Sequence, residues 1–383
     1  MHIRTKLAID KLSTSDLTEY NAAIDTAIMI GRLADAATSL TVFTDYQKLK
    51  SQNTLQAQHR DLRLFGNFIN ELYEKAERAN IQIPFRLRAG QLYRDPATWK
   101  LITHGLVKLF KSYLENEGYS ITSINRALST VRKYAGLAAS AEQIEPNTNA
   151  LIQAVKGFLG AEERHLNAER SITRKSTKKE KAVSIPKKVI QALKAEHTFP
   201  DTEIGIRDRL IMCLLFDHGL RSSEIAGLRV ENFDLSTGSF LVYRMKTNSK
   251  DRLTLTADSG DALQTFLNLS LPPLPYSDDK ENPGEPLLRG GNRVGVLRAA
   301  LMSRSSVSKV VTKYGKLMAI EHNLPSLNKL SAHDGRHQWA TDVLQSGAQV
   351  DQLQQAGGWK SPSMPLRYVN KRVIADEGIK LDR

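Results

Sequence analysis

The sequence predicts a mainly α-helical protein of two domains, the second of which contains a small antiparallel sheet. Three observations lead to this prediction. A chain of 383 residues is longer than one ordinary hydrophobic core accommodates. Apolar residues recur at helical spacing through most of it, whereas residues 240–256 alternate as the strands of a hairpin do. A basic stretch without apolar periodicity separates the two halves.

Composition indicates a soluble globular protein that binds a polyanion. Hydrophobic residues make up 41% and charged residues 25% of the chain, and the net charge is +13. Nucleic acid is the leading candidate for the partner. The chain has no apolar run near the length of a membrane span, no basic amphipathic anchor at either end and no signal-peptide core. Its single cysteine, Cys213, excludes a disulfide framework and a cysteine metal site, so we expect a cytoplasmic protein.

The boundaries follow from these patterns. Residues 1–48 form a helical extension that packs on its own domain or reaches a neighbouring subunit, and the sequence does not decide between the two. The remaining segments are a helical domain at 49–168, a basic linker at 169–183 and a second domain with a C-terminal tail at 184–383. Within the helical domain, the helices are expected at residues 51–78, 99–117, 123–139 and 149–159.

Basic side chains on these helices and in the linker are candidates for contacts with DNA phosphates, which add affinity without sequence specificity. The alternative is an ordinary solvated surface. The linker region 170–188 carries eight Lys or Arg against one Glu, which favours an extended segment that follows a DNA backbone. The candidates in these two regions are Lys108, Lys111, Arg126, Arg132, Lys133, Lys178 and Lys179.

The first motif of the second domain is an arginine that follows a buried helix. Residues 210–216 are apolar on every side, as a fully buried helix is, and Gly219 ends that helix. Arg221 then begins a second helix, and Glu224 lies three residues later on the same face, where it can hold the guanidinium. A purely structural Arg–Glu pair is the alternative.

A predicted β-hairpin follows, with strands at 240–245 and 252–256. A lysine at its tip can swing into a cleft and donate a proton to a leaving oxygen. Lys246 and Lys250 both qualify; Lys246 directly follows a strand, whereas Lys250 is expected deeper in the turn. The alternative for either lysine is an ordinary exposed turn residue.

A second basic pair lies at the start of a later helix. Ser331 and Asp334 fit a capping box, and His333 and Arg336 share one helical face. A guanidinium and an imidazole side by side suit a phosphate. The alternative is a surface helix with two solvated basic residues.

The last motif is a glycine turn with a tryptophan, followed by a tyrosine. Trp359 follows Gly357 and Gly358, and Tyr368 comes nine residues later. Pro365 lies three residues before Tyr368, so that either a helix begins at Pro365 or the tyrosine sits on a flexible turn.

Two further segments of the second domain have an interpretation of their own. The glycine-rich run 290–295 lacks the Lys-Ser/Thr that ends a phosphate-binding loop, so we expect no nucleotide there. Residues 305–320 form a basic amphipathic helix, in which Lys309 and Lys313 are further candidates for DNA contacts, as is Lys250.

In this order the motifs resemble the active site of the tyrosine site-specific recombinases, the family of the integrases, Xer proteins and Cre. The Gly-Gly-Trp turn is most similar to that of the Cre-like members. The resemblance implies a helical core-binding domain and a mixed α+β catalytic domain that close round DNA as a C-shaped clamp. The residues that carry it are Arg221, Glu224, Lys246, His333, Arg336, Trp359 and Tyr368.

The resemblance also implies the chemistry. Arg221 and Arg336 clamp the scissile phosphate, and His333 and Trp359 add hydrogen-bond donors. Tyr368 attacks to give a 3′-phosphotyrosyl bond. The tyrosyl ester keeps the bond energy, so no nucleotide, metal or other cofactor is expected.

Two residues complete that scheme: Lys246 protonates the departing 5′ oxygen, and Glu224 orients Arg221. Strand exchange through a Holliday junction requires two duplexes cut at four sites. We therefore expect a protein that is monomeric when free and a homotetramer on double-stranded DNA with an inverted-repeat target, the tail 369–383 docking on an adjacent subunit. The rival functions are DNA relaxation of the type IB topoisomerase kind and sequence-specific DNA binding by a catalytically silent protein.

Overall fold

A computed structural model describes residues 14–82, 86–88, 90–159, 162, 182–245, 247–271, 274–276, 282–292 and 294–368. The chain separates into two compact units, residues 1–178 and 179–383. The division falls inside the predicted linker 169–183, of which only the last two residues are described, so Lys178 and Lys179 lie outside the described residues. The fold class predicted from the sequence, mainly helical with small antiparallel sheets, is confirmed.

The first unit is built from helices alone in its described part. Its aromatic core contains Phe65, Trp99, Phe110 and Tyr134, all fully buried. The elements in chain order are α1 Thr14–Lys48, α2 Gln52–Arg78, α3 Gln91–Arg94, a 3-10 helix Pro96–Leu101, α4 His104–Asn116, α5 Ile121–Ser140 and α6 Pro146–Ala154.

Helix α2 confirms the predicted helix at 51–78, and Ser51 is its cap: the Thr54 amide donates to the Ser51 hydroxyl at 3.4 Å. The helix predicted from residue 99 begins at His104 instead. Trp99 is held on a 3-10 turn because its indole N–H donates to the buried Leu92 carbonyl at 2.8 Å. Helix α6 likewise ends at Ala154, before the predicted residue 159.

Helix α1 packs on its own unit through its C-terminal end, where Phe43 is buried. Farther toward its N-terminus the large apolar side chains are exposed, among them Ile28, Met29, Ile30 and Leu33. Residues 14–48 of the predicted extension are helical, and contacts with a neighbouring subunit stay a prediction.

The second unit packs helices around a hydrophobic core and carries two small antiparallel sheets. In the first sheet β2 lies between β1 and β3, and the second sheet pairs β4 with β5. The elements in chain order are α7 Lys187–Ala192, a 3-10 helix Glu196–Thr198, α8 Glu203–His218, α9 Ser222–Ala226, a 3-10 helix Val230–Asn232, β1 Phe233–Asp234, β2 Ser239–Arg244, β3 Ser249–Thr254, α10 Ala257–Leu267, β4 Arg289–Gly291, β5 Leu297–Leu301, α11 Arg304–Glu321, a 3-10 helix Pro325–Lys329, α12 Ala332–Gln345, α13 Val350–Gly357 and a 3-10 helix Pro365–Tyr368.

The predicted hairpin is confirmed, but its turn is shorter than expected. Strand β3 already begins at Ser249, which pairs with Arg244, and Lys250 pairs with Tyr243. The prediction that Lys250 lies deep in the turn was therefore wrong, because the left-handed Asn248 (φ 52°) reverses the chain sooner. Lys246 lies outside the described residues. The glycine-rich run contributes strand β4, which the sequence did not predict.

Helix α8 is the central buried helix of the second unit, as the apolar run 210–216 predicted. Cys213 lies on it without exposed surface, and burial raises the pKa of its thiol to about 12. No helix within the described ranges combines the length and the apolar character that crossing a membrane requires.

His218 ends helix α8 in a buried position. It is 6% exposed, and its Nε2 lies 2.9 Å from the Ser259 hydroxyl. Burial lowers the pKa of its imidazole to about 4, an effect that Lys194 reinforces and Asp217 opposes. The folded state therefore keeps this histidine neutral.

This burial predicts a loss of stability in mild acid. The unfolded state takes up the proton near pH 6.5 and the folded state only near pH 4, so unfolding is favoured increasingly as the pH falls through that window. Between pH 7 and pH 5 we expect the wild type to lose about 2 kcal/mol more than a His218→Gln variant. Urea denaturation at both pH values measures the difference, and equal losses would contradict the assignment.

Candidate active site

The site lies within the second unit, where chain segments far apart in sequence meet. The start of α9 brings Arg221 and Glu224, and α12 brings Arg336. The turn after α13 brings Trp359, and the last 3-10 helix brings Tyr368. The structure thus brings together five of the residues predicted for one site.

Glu224 is the centre of the cluster. Its carboxylate accepts the backbone amide of Arg221 at 2.8 Å and also the Arg221 guanidinium. The carboxylate is 5% exposed, whereas the Arg221 side chain is 28% exposed. The predicted contact between the two side chains is therefore present, and it leaves part of the Arg221 side chain open to solvent.

Arg336 is buried but does not form a close ion pair. Its two terminal nitrogens donate to backbone carbonyls, to Gly219 O at 2.6 Å and to Gly357 O at 2.5 Å. Its Nη1 lies 3.8 Å from Glu224 Oε2. Burial, and then the charge of Arg221, lower the pKa of Arg336 to about 10, so it remains a cation at neutral pH.

Two left-handed glycines shape the backbone around Arg336. Gly219 (φ 59°) ends α8 and turns its carbonyl to Arg336, and an added Cβ would lie 2.1 Å from the Trp339 ring. Gly358 (φ 58°) ends α13 directly before Trp359. The Trp359 ring then lies with its centroid 4.3 Å from Arg336 Cζ, a cation–π distance.

Tyr368 packs against this cluster and is 7% exposed. Its ring centroid lies 5.5 Å from that of Trp359 and 4.7 Å from that of His337, which meets the phenol edge-on. The short helix that carries Tyr368 begins at Pro365, which is the first of the two arrangements the sequence left open. The tail 369–383 lies outside the described residues.

His333 occupies the exposed first turn of α12, one turn before the buried Arg336. The capping box predicted for this helix is present: the Ser331 amide donates to Asp334 at 2.8 Å. This capping box fixes the start of α12, and with it the positions of His333 and Arg336 in the first turns of the helix.

Sequence reasoning missed two residues. Arg244 has no exposed surface and donates to Glu224 at 2.8 Å. The signal was available, because Arg244 continues the inward-facing alternation of Phe240 and Val242 in β2. The other is His337, which touches Tyr368 and whose pKa is lowered by burial and then by the charge of His333. A lone histidine after Arg336 carried no distinguishing signal.

Three of the five basic residues proposed for DNA contacts in the first unit have side-chain partners within it. Arg126 forms a bidentate pair with the buried Asp61, with a shortest distance of 2.7 Å. Lys111 donates to a backbone carbonyl at 3.0 Å, and Lys133 lies over the Tyr46 ring. Lys108 is exposed and Arg132 is half-buried.

In the second unit the candidates lie on α11 and β3. Lys309 and Lys313 line a shallow concave surface together with Ser308 and Thr312. Lys313 Nζ is 3.5 Å from the buried Asp208. Lys250 is exposed on β3. DNA binding by any of these residues stays a prediction.

Comparison with known proteins gives one family. Residues 184–373 match the model of the Phage integrase family. Tyrosine recombinase XerC of Natranaerobius thermophilus is 26% identical over 328 residues, which cover 86% of this chain and 91% of the relative. Tyrosine recombinase XerA of Pyrococcus furiosus is 28% identical over 264 residues, covering 68% of this chain and 80% of the relative.

Among solved structures, the Tn1549 transposon integrase in complex with transposon right end DNA is similar, with a TM-score of 0.56. It is 14% identical, and the likeness covers 86% of this chain and 94% of that one, which shows a shared fold. The family match and the Xer relatives support a tyrosine recombinase.

Because one carboxylate lies among several guanidinium groups, Glu224→Gln should destabilise the second unit. Removing this charge, the one carboxylate that contacts Arg221 among the residues the structure describes, leaves buried positive charge uncompensated, which we expect to lower the free energy of unfolding by about 3 kcal/mol. Urea denaturation followed by tryptophan fluorescence measures this. Glu321→Gln, an exposed glutamate at the end of α11, is the matched control and should change stability by less than about 0.5 kcal/mol. Equal midpoints for the two variants would contradict the role given to Glu224.

Proposed function

We propose that the protein is a site-specific DNA recombinase that cuts and rejoins DNA through a 3′-phosphotyrosyl intermediate. One observation carries the proposal: the Tyr368 ring packs on Trp359, which lies over Arg336, and Arg336 and Arg221 meet at the one carboxylate of Glu224 without their charges being fully paired. The family match and the Xer relatives support it. The solved integrase complex with DNA supports double-stranded DNA as the partner.

The arginines would act on the scissile phosphate. Arg221 keeps more than a quarter of its side chain exposed, and Arg336 is held by two carbonyls that do not cancel its charge, so both would direct positive charge toward one phosphate. Preorganised charge of this kind stabilises the pentacoordinate transition state. His333, on the exposed first turn of the same helix, would add a donor, and so would the Trp359 indole.

Tyr368 would be the nucleophile. Its oxygen attacks phosphorus and gives its proton to solvent water as the new bond forms, while the bond from phosphorus to the 5′ oxygen breaks. Lys246 would give that oxygen its proton, and Lys250 is the weaker candidate because it lies within strand β3 opposite Tyr243. The ester keeps the energy of the broken bond, so the reverse attack by a 5′ hydroxyl can reseal DNA without a nucleotide.

Exchange between two sites would require four such cuts, which favours a homotetramer on DNA with an inverted-repeat target and a Holliday-junction intermediate. The clamp round the duplex, a monomeric free state, the cytoplasmic location and the similarity to Cre-like members are parts of the same proposal. None of them is needed for the chemistry at Tyr368.

Covalent trapping tests the nucleophile. Purified protein is mixed with DNA from the flanks of its own gene, nicked so that the cut strand diffuses away, and is run on a denaturing gel. We expect a slower band that Tyr368→Phe abolishes without loss of DNA binding. Tyr276→Phe, an exposed tyrosine of the same unit, is the control and should leave the band intact.

Other results would change the interpretation. DNA binding without any adduct would favour a catalytically silent binding protein. Adducts on every duplex, regardless of sequence, would favour a topoisomerase.

A second test concerns the proton donor. We expect Lys246→Ala to slow cleavage by about 10²-fold or more. A substrate with sulfur in place of the bridging 5′ oxygen should restore the rate, because a thiolate leaves without protonation. Lys250→Ala is the matched variant in the same hairpin. If it, rather than Lys246→Ala, shows the slow and rescued cleavage, the assignment is reversed.

A further inference from the structure

We infer that Arg244 is a positioning residue for this reaction: its buried guanidinium joins Glu224 to the turn after α13 and so sets the places of Arg221, Arg336 and Trp359. The inference rests on the proposed function. Arg244 would not touch the DNA, because it has no exposed surface. It would act through the residues that do.

Three hydrogen bonds fix Arg244 on three different elements. Its Nη1 donates to Glu224 Oε2 on α9 at 2.8 Å, and its Nε donates to Asp251 Oδ2 on β3 at 2.8 Å. Its Nη2 donates to the Ala356 carbonyl near the end of α13 at 2.7 Å. A planar guanidinium is suited to such divergent contacts, whereas a lysine ammonium cannot reproduce the fixed fork.

The first of these bonds keeps the charge of Arg336 from being neutralised by Glu224. Arg244 occupies Glu224 Oε2 at 2.8 Å, while Arg336 stays 3.8 Å from the same oxygen. Without Arg244 that oxygen would keep only the Arg221 backbone amide as a close donor, at 2.8 Å, and could then pair closely with Arg336 and neutralise its charge. Arg244 thereby keeps Arg336 available for a phosphate.

The third bond governs the turn that carries Trp359. Ala356 O accepts from Arg244, and the next carbonyl, Gly357 O, accepts from Arg336. A Cβ on Gly358 would lie 2.7 Å from Arg244 Nε and 3.0 Å from its Cδ. Two arginines thus hold successive carbonyls of one turn, and the absent side chain of Gly358 leaves room for the closer one.

A purely structural role is the competing explanation. A buried ion pair is weak evidence for stability, since apolar residues of similar volume often replace one without loss. The two roles differ in what a variant does to molecules that are correctly folded. A structural defect lowers the fraction of active protein, whereas a positioning defect lowers the rate constant of every active molecule.

The test is single-turnover cleavage of the nicked substrate at saturating DNA, with amplitude and rate constant measured separately. We expect Arg244→Lys and Arg244→Met to lower the rate constant by about 10²-fold, with full amplitude and unchanged DNA affinity. Arg252→Lys is the matched control: an exposed arginine of the same hairpin, bound to Ser239, whose rate should equal that of the wild type.

Asp251→Asn provides a second route if the Arg244 variants do not fold. It keeps Arg244 but weakens the hydrogen bond that holds its Nε, so a smaller fall in the same rate constant is expected. The bridging-sulfur substrate should not restore the rate of any of these variants, because the defect lies in the phosphate clamp and not in the leaving group.

The outcomes separate this inference from the function on which it rests. If the wild type forms no adduct through Tyr368, the proposed function fails and this inference with it. If the wild type reacts and the variants differ from it only in amplitude or stability, Arg244 is structural and the inference alone is overturned. Rescue by the sulfur substrate would also overturn it, since Arg244 would then act on the leaving group.

Discussion

One carboxylate organises the site. Glu224 is almost fully buried and contacts Arg221 and Arg244 directly, with Arg336 slightly farther away. Several guanidinium groups would repel one another in a buried cluster without an anion between them. A single shared carboxylate holds them together while leaving a net positive charge. Such a cluster is held together in the free protein and keeps a positive charge, as the proposed contact with a phosphate requires.

Backbone carbonyls provide the remaining hydrogen-bond acceptors for the buried Arg336. Arg336 is solvated by the carbonyls of Gly219 and Gly357, both at the C-terminal ends of helices, where the partial charge of the helix is negative. A carbonyl satisfies a guanidinium N–H without cancelling its charge, as a carboxylate would. Helices α8 and α13 both end here, at the left-handed Gly219 and Gly358, and their free C-terminal carbonyls supply the acceptors that Arg336 needs.

Which contacts could be predicted from the sequence depended on how far apart along the chain the two residues lie. Arg221 with Glu224, and Ser331 with Asp334, are three residues apart and were predictable from helical geometry. The alternation of β2 indicated that Arg244 points inward, but its partners lie 20 and 112 positions away, so only the fold reveals its contacts. Local contacts explain the smaller errors. The hydrogen bond of the Trp99 indole holds that residue on a 3-10 turn, so α4 begins later than predicted. The hairpin turn is shorter than predicted, so Lys250 lies on β3.

The lone thiol has a practical consequence. Cys213 is sealed inside α8, and its raised pKa leaves almost no thiolate at neutral pH. Since the thiolate is the species that reacts, Cys213 should react only very slowly with alkylating probes and mild oxidants. A cysteine introduced at any exposed position would then carry a dye or spin label selectively without removal of the native one. The chain is thus already suited to distance measurements between its two units.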